Sequence, residues 1–443
     1  MSSLSYKPLR KSVHLTQITD EEIRWKLLSR KRAAEYLLGK NLGGTHYSPD
    51  IPQSSIVSNG TGKISNILFT VPGYYDQKNP EVLVDPMDRS HFLTLLSHLS
   101  HEQRHYTVLC HATQINEING WFLQNRIPES DYSLAVSVFN YSIWAQDAYL
   151  ALSQRNGRIV LAESICFNRD HDMSVANDLS KQTDVTAYQS HLYFQGGNVL
   201  STGQYVLVGM DYIRENEGRV HLETREKVLA AFTALCGKKT IPVGRNDLIL
   251  HRDRQYLGGG VFQPIFHLDM YVTPTGERAA SGKELVFVAS PRLAREILGE
   301  KDTENDFDKY FDEVAQQLEE WFEIKRMPIL PTQFNTKQSL FPRHYYLSYN
   351  NAVVENYENK GKRLKNVYLP SFAGHVEMFR KDRYITAYYG DEKRYAALDE
   401  GAKKIWEQNG FKVWQMDPLE DLAMSWGSVH CMVKVLSRTT SLS

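Results

Sequence analysis

A cysteine close to the end of the chain is the strongest candidate for covalent chemistry. Cys431 follows residues 427–428 (Gly-Ser), whose small side chains allow a tight turn and a close approach of the backbone to a ligand. An ordinary cysteine is more often a small buried apolar side chain than a nucleophile. We apply that interpretation to the other cysteines, which lie in or beside apolar runs: Cys110, Cys166 and Cys236.

A cysteine nucleophile needs a base, and the neighbouring His430 is the obvious one. We expect residues 429–435 to form a strand, in which successive side chains point to opposite faces. His430 and Cys431 would then face away from each other. The sequence therefore predicts that the histidine comes from another part of the chain.

Residues 267–269 (His-Leu-Asp) supply such a histidine. If this segment is a strand, His267 and Asp269 share one face while Leu268 lies on the other. Two polar groups in an apolar stretch need partners, because the burial of an unpaired polar group costs free energy. A buried structural histidine–aspartate pair explains them equally well, since ion-pair networks also form for structural reasons.

Two further segments place polar side chains at turns. Asp147 ends residues 143–147 (Ile-Trp-Ala-Gln-Asp), and taken alone it would be a solvated or capping residue. Residues 195–198 (Gln-Gly-Gly-Asn) form a glycine-rich turn between predicted strands. This turn is not a phosphate loop, because it has neither a lysine nor a following helix.

One cysteine, one histidine and at least two carboxylates form a set that suits a guanidinium group. A guanidinium is planar, permanently cationic and offers its N–H donors in a fork, which carboxylates accept in pairs. Its central carbon is a weak electrophile because the charge is delocalised. A thiolate, together with a histidine that protonates the departing nitrogen, meets this difficulty. A cysteine protease, the simpler alternative, needs no second carboxylate at the substrate.

The segments that carry these residues are separated by alternating strands and helices. Helices are predicted at residues 89–103, 221–236, 303–322 and 391–408, and strands at residues 64–71, 106–110, 134–139, 159–162, 205–210, 284–289, 345–354, 365–369, 383–389 and 411–416. No linker composition follows residue 62. We therefore predict one large α/β catalytic domain over residues 63–443.

Residues 1–62 are predicted to be a separate helical extension and linker. Thr19 and Glu22 have the spacing of a capping box at the start of a helix, which would end near Gly39. Residues 43–62 are rich in Gly, Ser, Pro and Asn, as is typical of a loop. The extension is a candidate gate over the site and a candidate contact with a second copy of the chain or another protein.

Composition narrows the classes of function. The 443 residues include 42% apolar and 23% charged residues, and the net charge is −1, so charge indicates no nucleic-acid partner. No apolar run of about 18 residues is present, which predicts no membrane span. The N-terminus lacks the apolar core of a secretory signal. Four cysteines without metal-ligand spacing predict free thiols, no metal and a reducing compartment, taken as cytoplasmic, with export by a signal-less route left open.

The order of the motifs resembles that of the guanidino-group modifying enzymes, the pentein superfamily of peptidyl-arginine, arginine and agmatine deiminases and amidinotransferases. Residues 144–147 (Trp-Ala-Gln-Asp) resemble its Trp-x-x-Asp segment, residues 267–269 its His-x-Asp, and residues 427–431 its terminal Gly-x-x-His-Cys. Residues 350–354 (Asn-Asn-Ala-Val-Val), which are similar in shape to residues 196–200, resemble its penultimate repeat. The resemblance implies a five-bladed pseudosymmetric α/β propeller of ββαβ units, with the N-terminal helical extension outside it.

By this resemblance, Asp147 and Asp269 clamp the guanidinium, and Cys431 attacks its carbon. His267 protonates the leaving ammonia and then activates the water that hydrolyses a thiouronium intermediate. Substrate-binding residues would also include Trp144, Gln195 and Asn198. Arg343 is a further candidate from its own chemistry and not from the resemblance, since an arginine suits bidentate contact with a carbonyl or carboxylate, and an exposed loop arginine is the favoured alternative. No cofactor is implied.

One position departs from the family pattern. Several members have Glu where this chain has Gln195. The neutral Gln side chain lacks the negative charge that would stabilise a positive charge on His267. Gln195 is therefore either a neutral hydrogen-bond partner or a cause of weakened catalysis.

Four functions stay open at this stage, of which the least favoured is the cysteine protease, which would cleave peptides rather than release ammonia. A deiminase would convert a guanidinium on free arginine, peptidyl arginine or a related compound into a ureido group and release ammonia. An amidinotransferase would use an amine in place of water, and the sequence does not separate the two because access to the site decides the acceptor. The third function is a non-catalytic binding module, against which the joint presence of four site residues argues: Asp147, His267, Asp269 and Cys431.

Overall fold

The fold is described from a computed structural model of the chain. The described residues are Lys31, Ala34, 54–72, 90–137, 139, 141–167, 169, 171–219, 221–245, 267–301, 306–334, 343–374, 376–380, 383–387 and 392–442. Lys31 and Ala34 are helical, and the remainder of the predicted N-terminal helix lies outside these residues. Within the described part of the chain, no helix is both long and apolar enough to cross a membrane.

Strands and helices alternate along the chain, which confirms the predicted mixed α/β class. The strands are β1 (Ser54–Ile56), β2 (Lys63–Val71), β3 (His105–His111), β4 (Tyr132–Ser137), β5 (Tyr149–Gln154), β6 (Ile159–Glu163), β7 (Thr186–Gln189), β8 (Val199–Ser201), β9 (Tyr205–Gly209), β10 (Lys239–Val243), β11 (Val272–Arg278), β12 (Glu284–Ser290), β13 (Phe322–Phe334), β14 (Arg343–Ser348), β15 (Val353–Asn359), β16 (Lys362–Ser371), β17 (Val376–Arg380), β18 (Arg383–Ala387), β19 (Lys412–Pro418), β20 (Val433–Thr439) and β21 (Ser441–Leu442). The α-helices are α1 (Ser90–Leu99), α2 (Ile115–Gln124), α3 (Val175–Gln182), α4 (Met210–Asn216), α5 (Arg225–Cys236), α6 (Pro291–Ile297), α7 (Asp306–Leu318), α8 (Glu392–Gln408) and α9 (Glu420–Met424).

Five sheets of the described residues share one pairing pattern. In each, two antiparallel strands are followed by a helical connection and by a strand parallel to the second of them. We number these ββαβ units as unit 1 (β5, β6, α3, β7), unit 2 (β8, β9, α5, β10), unit 3 (β11, β12, α7, β13), unit 4 (β15, β16, α8, β19) and unit 5 (β20, β2, α1, β3). Unit 5 takes its first strand from the C-terminal part of the chain, so it joins the two ends of this sheet system.

Local sequence signals locate most of the elements. Helix α5, for example, begins after Thr224, whose side chain accepts a hydrogen bond from the Lys227 N–H, and ends at Gly237 with φ +67°. The predicted strand over residues 345–354 is wrong as a single element. Residues 349–352 form a turn with a bond from Ala352 N to the Asn350 carbonyl (2.8 Å), so β14 and β15 belong to different sheets.

Residues 54–62, which the sequence assigns to the linker, lie against all five units, and we name them the crossing segment. Its contacts in chain order are the pairing of β1 with β5 of unit 1, the bond from Asn59 N to Ser201 O of unit 2 (2.9 Å), the packing of Gly60 on Gly276 of unit 3, the bond from Gly62 N to Asn356 O of unit 4 (2.8 Å), and the entry into β2 of unit 5. A predicted boundary at residue 62 therefore leaves out a stretch that is hydrogen-bonded to the sheets.

The predicted site segments occupy one equivalent place in each unit. Each lies immediately before the first strand: Asp147 before β5, residues 196–198 before β8, residues 267–270 before β11, residues 350–351 before β15 and Cys431 before β20. The fold thus positions residues that are distant in sequence through five repetitions of the same local element.

Candidate active site

The nucleophile candidate lies in a turn rather than in a strand. Strand β20 begins at Val433, and residues 429–432 form a turn closed by the bond from Met432 N to Ser428 O (3.3 Å). The predicted strand over residues 429–435 is therefore wrong at its start, and so is the conclusion that His430 and Cys431 face apart. His430 Nδ1 lies 2.9 Å and Cys431 Sγ lies 3.5 Å from the same atom, Asp269 Oδ2.

Gly427 is needed at the entry to this turn because Trp144 occupies the adjoining space. A Cβ atom on Gly427 would lie 2.1 Å from Cζ3 of the Trp144 ring, which no side chain could tolerate. Trp144, which was predicted to bind substrate, thus packs the segment that carries Asp147 against the segment that carries Cys431.

Asn351, which lies just before the first strand of unit 4, stabilises the turn that contains Cys431. Its Oδ1 accepts from the backbone N–H groups of His430 (3.0 Å) and Cys431 (3.3 Å), and its Nδ2 donates to Cys431 Sγ (3.1 Å). Asn198 of unit 2 holds the next turn in a similar way, since its Oδ1 accepts from Leu268 N (3.0 Å). The faint similarity of these two asparagine segments in the sequence therefore reflects a shared supporting role.

The histidine and aspartate of residues 267–269 are brought together by a short 3-10 turn over Leu268–Met270, so the predicted strand is wrong there too. Both side chains nevertheless flank Gly197. A Cβ atom on Gly197 would lie 2.8 Å from His267 Nδ1 and 3.1 Å from each carboxylate oxygen of Asp269. Only glycine allows the backbone to approach this closely.

Gln195 is the hydrogen-bond partner of His267. Its Oε1 lies 2.9 Å from His267 Nε2, and both side chains are buried. An amide oxygen accepts only, so the ring carries a proton on Nε2 and directs Nδ1 towards Asp147 Oδ1, 3.9 Å away. Of the two alternatives for Gln195, this geometry matches the neutral hydrogen-bond partner.

Sequence reasoning missed the residue that anchors Asp147. Arg169 Nη2 donates to Asp147 Oδ2 at 3.0 Å, and its Nε pairs with Asp172, which also accepts from the backbone N–H of Ser142 (2.7 Å). The clustered charges in residues 167–172 (Phe-Asn-Arg-Asp-His-Asp), directly after unit 1's second strand, were the available signal. Asn198, in contrast, was predicted to contact substrate, but its Nδ2 donates to Asp211 (2.8 Å) and its Oδ1 is taken by the turn.

Each of the two predicted guanidinium-binding carboxylates keeps one unoccupied oxygen. Asp147 is 5% and Asp269 is 2% exposed, and their Oδ1 atoms have no hydrogen-bond partner in the described part of the chain. A buried carboxylate oxygen without a partner costs about 1–3 kcal/mol or more. Such an arrangement favours a cationic ligand that donates hydrogen bonds to both residues.

Burial raises the pKa of the Cys431 thiol well above its usual value, and the negative charges of Asp269 and Asp147 raise it further. Burial raises the pKa of Cys110 and of Cys236 to about 12, with no carboxylate among the causes. A raised thiol pKa therefore does not single out Cys431. Its contact with Asp269 does.

Lys434 is a second charged residue that the sequence did not indicate. It lies on β20 and its Nζ donates to the Gln146 carbonyl at 3.2 Å. Burial lowers the pKa of Lys434 to about 7, while the charges of Asp147 and Asp269 act in the opposite direction. Arg343 begins β14, and a contact between its side chain and substrate stays a prediction.

Comparison with solved structures shows the fold. The agmatine deiminase of Enterococcus faecalis matches at a TM-score of 0.55 and 13% identity, over 88% of this chain and 98% of that one. The agmatine deiminase of C. jejuni matches at a TM-score of 0.53 and 15% identity, over 86% and 95% of the two chains. Neither a protein-family model nor a curated protein matches the sequence. The predicted resemblance to guanidino-group modifying enzymes is thereby confirmed at the level of the fold.

Proposed function

We propose that this chain is a cysteine-dependent guanidine hydrolase, a deiminase that converts an arginine-like guanidinium into a ureido group and releases ammonia. The observation that carries the proposal is the pair of buried carboxylate oxygens, Asp147 Oδ1 and Asp269 Oδ1, that lack a partner in the described structure beside a buried thiol. The fold that the chain shares with agmatine deiminases supports it.

A guanidinium matches these two carboxylates in charge and in its capacity to donate hydrogen bonds to both. Its planar fork of N–H groups donates to Asp269 on one side and to Asp147 on the other. With Cys431 Sγ only 3.5 Å from Asp269 Oδ2, the central carbon of a guanidinium held there comes within reach of the sulfur. The cation also offsets the two negative charges that raise the pKa of the thiol, so it promotes formation of the thiolate.

In the reaction that we propose, Cys431 is the nucleophile and His267 is the acid and base. The thiol proton passes to His267 Nδ1 and the thiolate attacks the guanidinium carbon, forming a C–S bond. The C–N bond breaks as His267 gives the proton to the leaving nitrogen, and ammonia departs from a thiouronium. His267 next takes a proton from water, which attacks the same carbon. The C–S bond breaks, the hydroxyl proton passes to the departing sulfur to restore the thiol, and the ureido product leaves. His267 then gives its proton to solvent.

We further propose that the five ββαβ units are the blades of a five-bladed propeller with the site on its axis. Three observations support this arrangement. The units share one pairing pattern, each contributes its site segment from the same place, and the crossing segment contacts all five in turn. Residues of units 1, 3 and 5 would supply the chemistry, and units 2 and 4 the supporting asparagines.

Ammonia release tests the proposed function. Arginine, agmatine and an arginine-containing peptide are each incubated with the wild type, with Cys431→Ala and with Cys236→Ala as the matched control. Ammonia from one substrate that disappears only in Cys431→Ala supports the deiminase and names its substrate class. Ammonia that persists in Cys431→Ala, or its absence with every substrate, contradicts it. Adding glycine as an amine acceptor then separates amidinotransfer from a non-catalytic role.

A further inference from the structure

We propose that Asn59, in the crossing segment, is a positioning residue that holds His430 as a neutral imidazole and so keeps Asp269 free to bind a cation. The kinetic consequence of this inference rests on the proposed function, whereas its structural content does not. It assigns a purpose to a segment that the sequence indicated only as a loop.

The orientation of the Asn59 amide is determined by Ser201. The Ser201 backbone N–H donates to Asn59 Oδ1 at 2.7 Å, and a backbone N–H cannot accept. The Asn59 backbone is fastened as well, by its N–H to Ser201 O (2.9 Å) and by Arg438 Nη2 to its carbonyl (2.8 Å). Oxygen therefore faces Ser201, and the Nδ2 amide group faces His430.

The protonation state of His430 follows from that orientation. Asn59 Nδ2 is a donor 2.9 Å from His430 Nε2, so Nε2 accepts and carries no proton. The ring proton then lies on Nδ1, which donates to Asp269 Oδ2 at 2.9 Å. Arg438, and Lys434 when it is protonated, line the same cavity as His430 and disfavour a further positive charge there, whereas the contact with Asp269 favours one.

A neutral His430 serves the site in two ways. Its Nδ1–H fixes one oxygen of Asp269 without cancelling the negative charge, and Oδ1 stays available to a guanidinium. An imidazolium in this place would pair with Asp269 and compete with the cationic substrate. His430 is therefore neither the acid nor the base of the reaction, although it is the histidine next to the nucleophile.

Nitrogen-15 NMR of histidine-labelled wild-type protein tests the inference without reference to activity. The His430 signals are assigned from the spectrum of His430→Gln. At neutral pH we expect Nδ1 to have the shift of a protonated ring nitrogen and Nε2 that of an unprotonated one. An imidazolium, or the tautomer with its proton on Nε2, would overturn the assignment.

A charge substitution tests the consequence for binding. In Asn59→Asp the carboxylate still accepts from Ser201 N–H but donates nothing, so His430 gains a proton on Nε2. As the pH falls from about 8.5 to about 6, we expect the KM for the guanidinium substrate to rise about tenfold more in Asn59→Asp than in the wild type, in which Lys434 also gains charge over that range, and kcat to change less.

The matched control is Asn66→Asp, since Asn66 Oδ1 accepts from the Thr107 hydroxyl (3.0 Å) and its carboxylate analogue does the same. This variant should keep the wild-type dependence of KM on pH. A wild-type profile in Asn59→Asp would overturn the inference. If no substrate releases ammonia, the proposed function fails and the NMR result still decides the state of His430. The NMR measurement on the wild type also decides the state of His430 in the case that Asn59→Asp does not fold.

Discussion

Two buried aspartates show how differently the same side chain is used in this molecule. Asp399 is 4% exposed, and both of its oxygens are saturated: Oδ1 by the Tyr349 hydroxyl (2.6 Å) and Phe372 N (3.1 Å), Oδ2 by the Ser371 hydroxyl (2.7 Å) and Ala373 N (3.0 Å). Asp269 is 2% exposed, yet its Oδ1 has no partner among the described side chains and backbone groups.

The difference lies in hydrogen bonding and not in burial. A saturated buried carboxylate joins elements of the fold, in this case the middle of α8 with the end of β16, and contributes to stability. An unsaturated one lowers stability until a ligand supplies the missing donors. Asp147 has the same unsaturated character as Asp269, which is why the two together indicate a binding site for a cation.

The largest effect is expected from removing the thiol. Cys431→Ala should lower the rate of ammonia release about 10⁴-fold or more, because the covalent step is lost. Cys236→Ala removes a thiol that is also buried but whose pKa is not affected by any carboxylate. That variant should retain the wild-type rate and lose about 1 kcal/mol of stability in denaturant unfolding. Similar rates of ammonia release in the two variants would show that Cys431 is not the nucleophile.

The next largest effect sharpens the contrast between the aspartates. Asp269→Asn should lower kcat/KM about 10²–10³-fold, since a buried guanidinium loses its charged acceptor. Asp399→Asn places an NH₂ group against existing donors. It should cost about 1–3 kcal/mol of unfolding free energy while leaving kcat/KM close to that of the wild type. Steady-state kinetics and urea unfolding measure both. If Asp269→Asn and Asp399→Asn lowered kcat/KM equally, the proposed difference between the two aspartates would be wrong.

The pH dependence of thiol reactivity gives a smaller effect. Burial and the charges of Asp269 and Asp147 raise the pKa of Cys431. The rate of its alkylation by iodoacetamide should therefore keep rising with pH beyond about 8.5, the ordinary pKa of a thiol. In Asp269→Asn one negative charge is gone, so the midpoint should move to lower pH. A wild-type rate that is already constant below neutral pH would show an ionised thiol and contradict the assignment.

The smallest expected effect concerns the pH dependence of stability through Lys434. Its pKa is lowered to about 7 by burial, so between about pH 7 and pH 10 only the unfolded chain binds this proton. Stability should therefore rise with pH across that window, by at most about 1.4 kcal/mol per pH unit, while below it the cost is fully present. Lys434→Met should reduce this slope in urea unfolding. An unchanged slope would mean that Lys434 stays protonated.

Several parts of the site were predictable from the resemblance in motif order, and the structure shows that these parts belong to repeated units. Each site segment precedes the first strand of a unit, so motif order alone brought Asp147, His267, Asp269 and Cys431 to one place. The local backbone was not predictable from alternation: the turn at residues 429–432 reverses the expected directions of His430 and Cys431, because a period of two applies only within a strand.

Long-range partners left little or no signal in the sequence. Asn59 reaches His430, which is 371 positions away, from a stretch whose composition is that of an ordinary loop. Arg169, which lies between β6 and α3 in a stretch that no periodicity describes, contacts Asp147. Such contacts depend on how units 1 to 5 are arranged around the crossing segment, which is a property of the complete fold.

The binding of guanidinium ion to Cys431→Ala, followed by calorimetry, tests the central claim most directly. The inactive protein should bind guanidinium and bind methylammonium, a cation without the planar fork, much more weakly. Adding Asp269→Asn to that background should abolish the binding, and adding Asp399→Asn should preserve it. Guanidinium binding that is indifferent to Asp269→Asn would show that the two unsaturated carboxylates do not form the site.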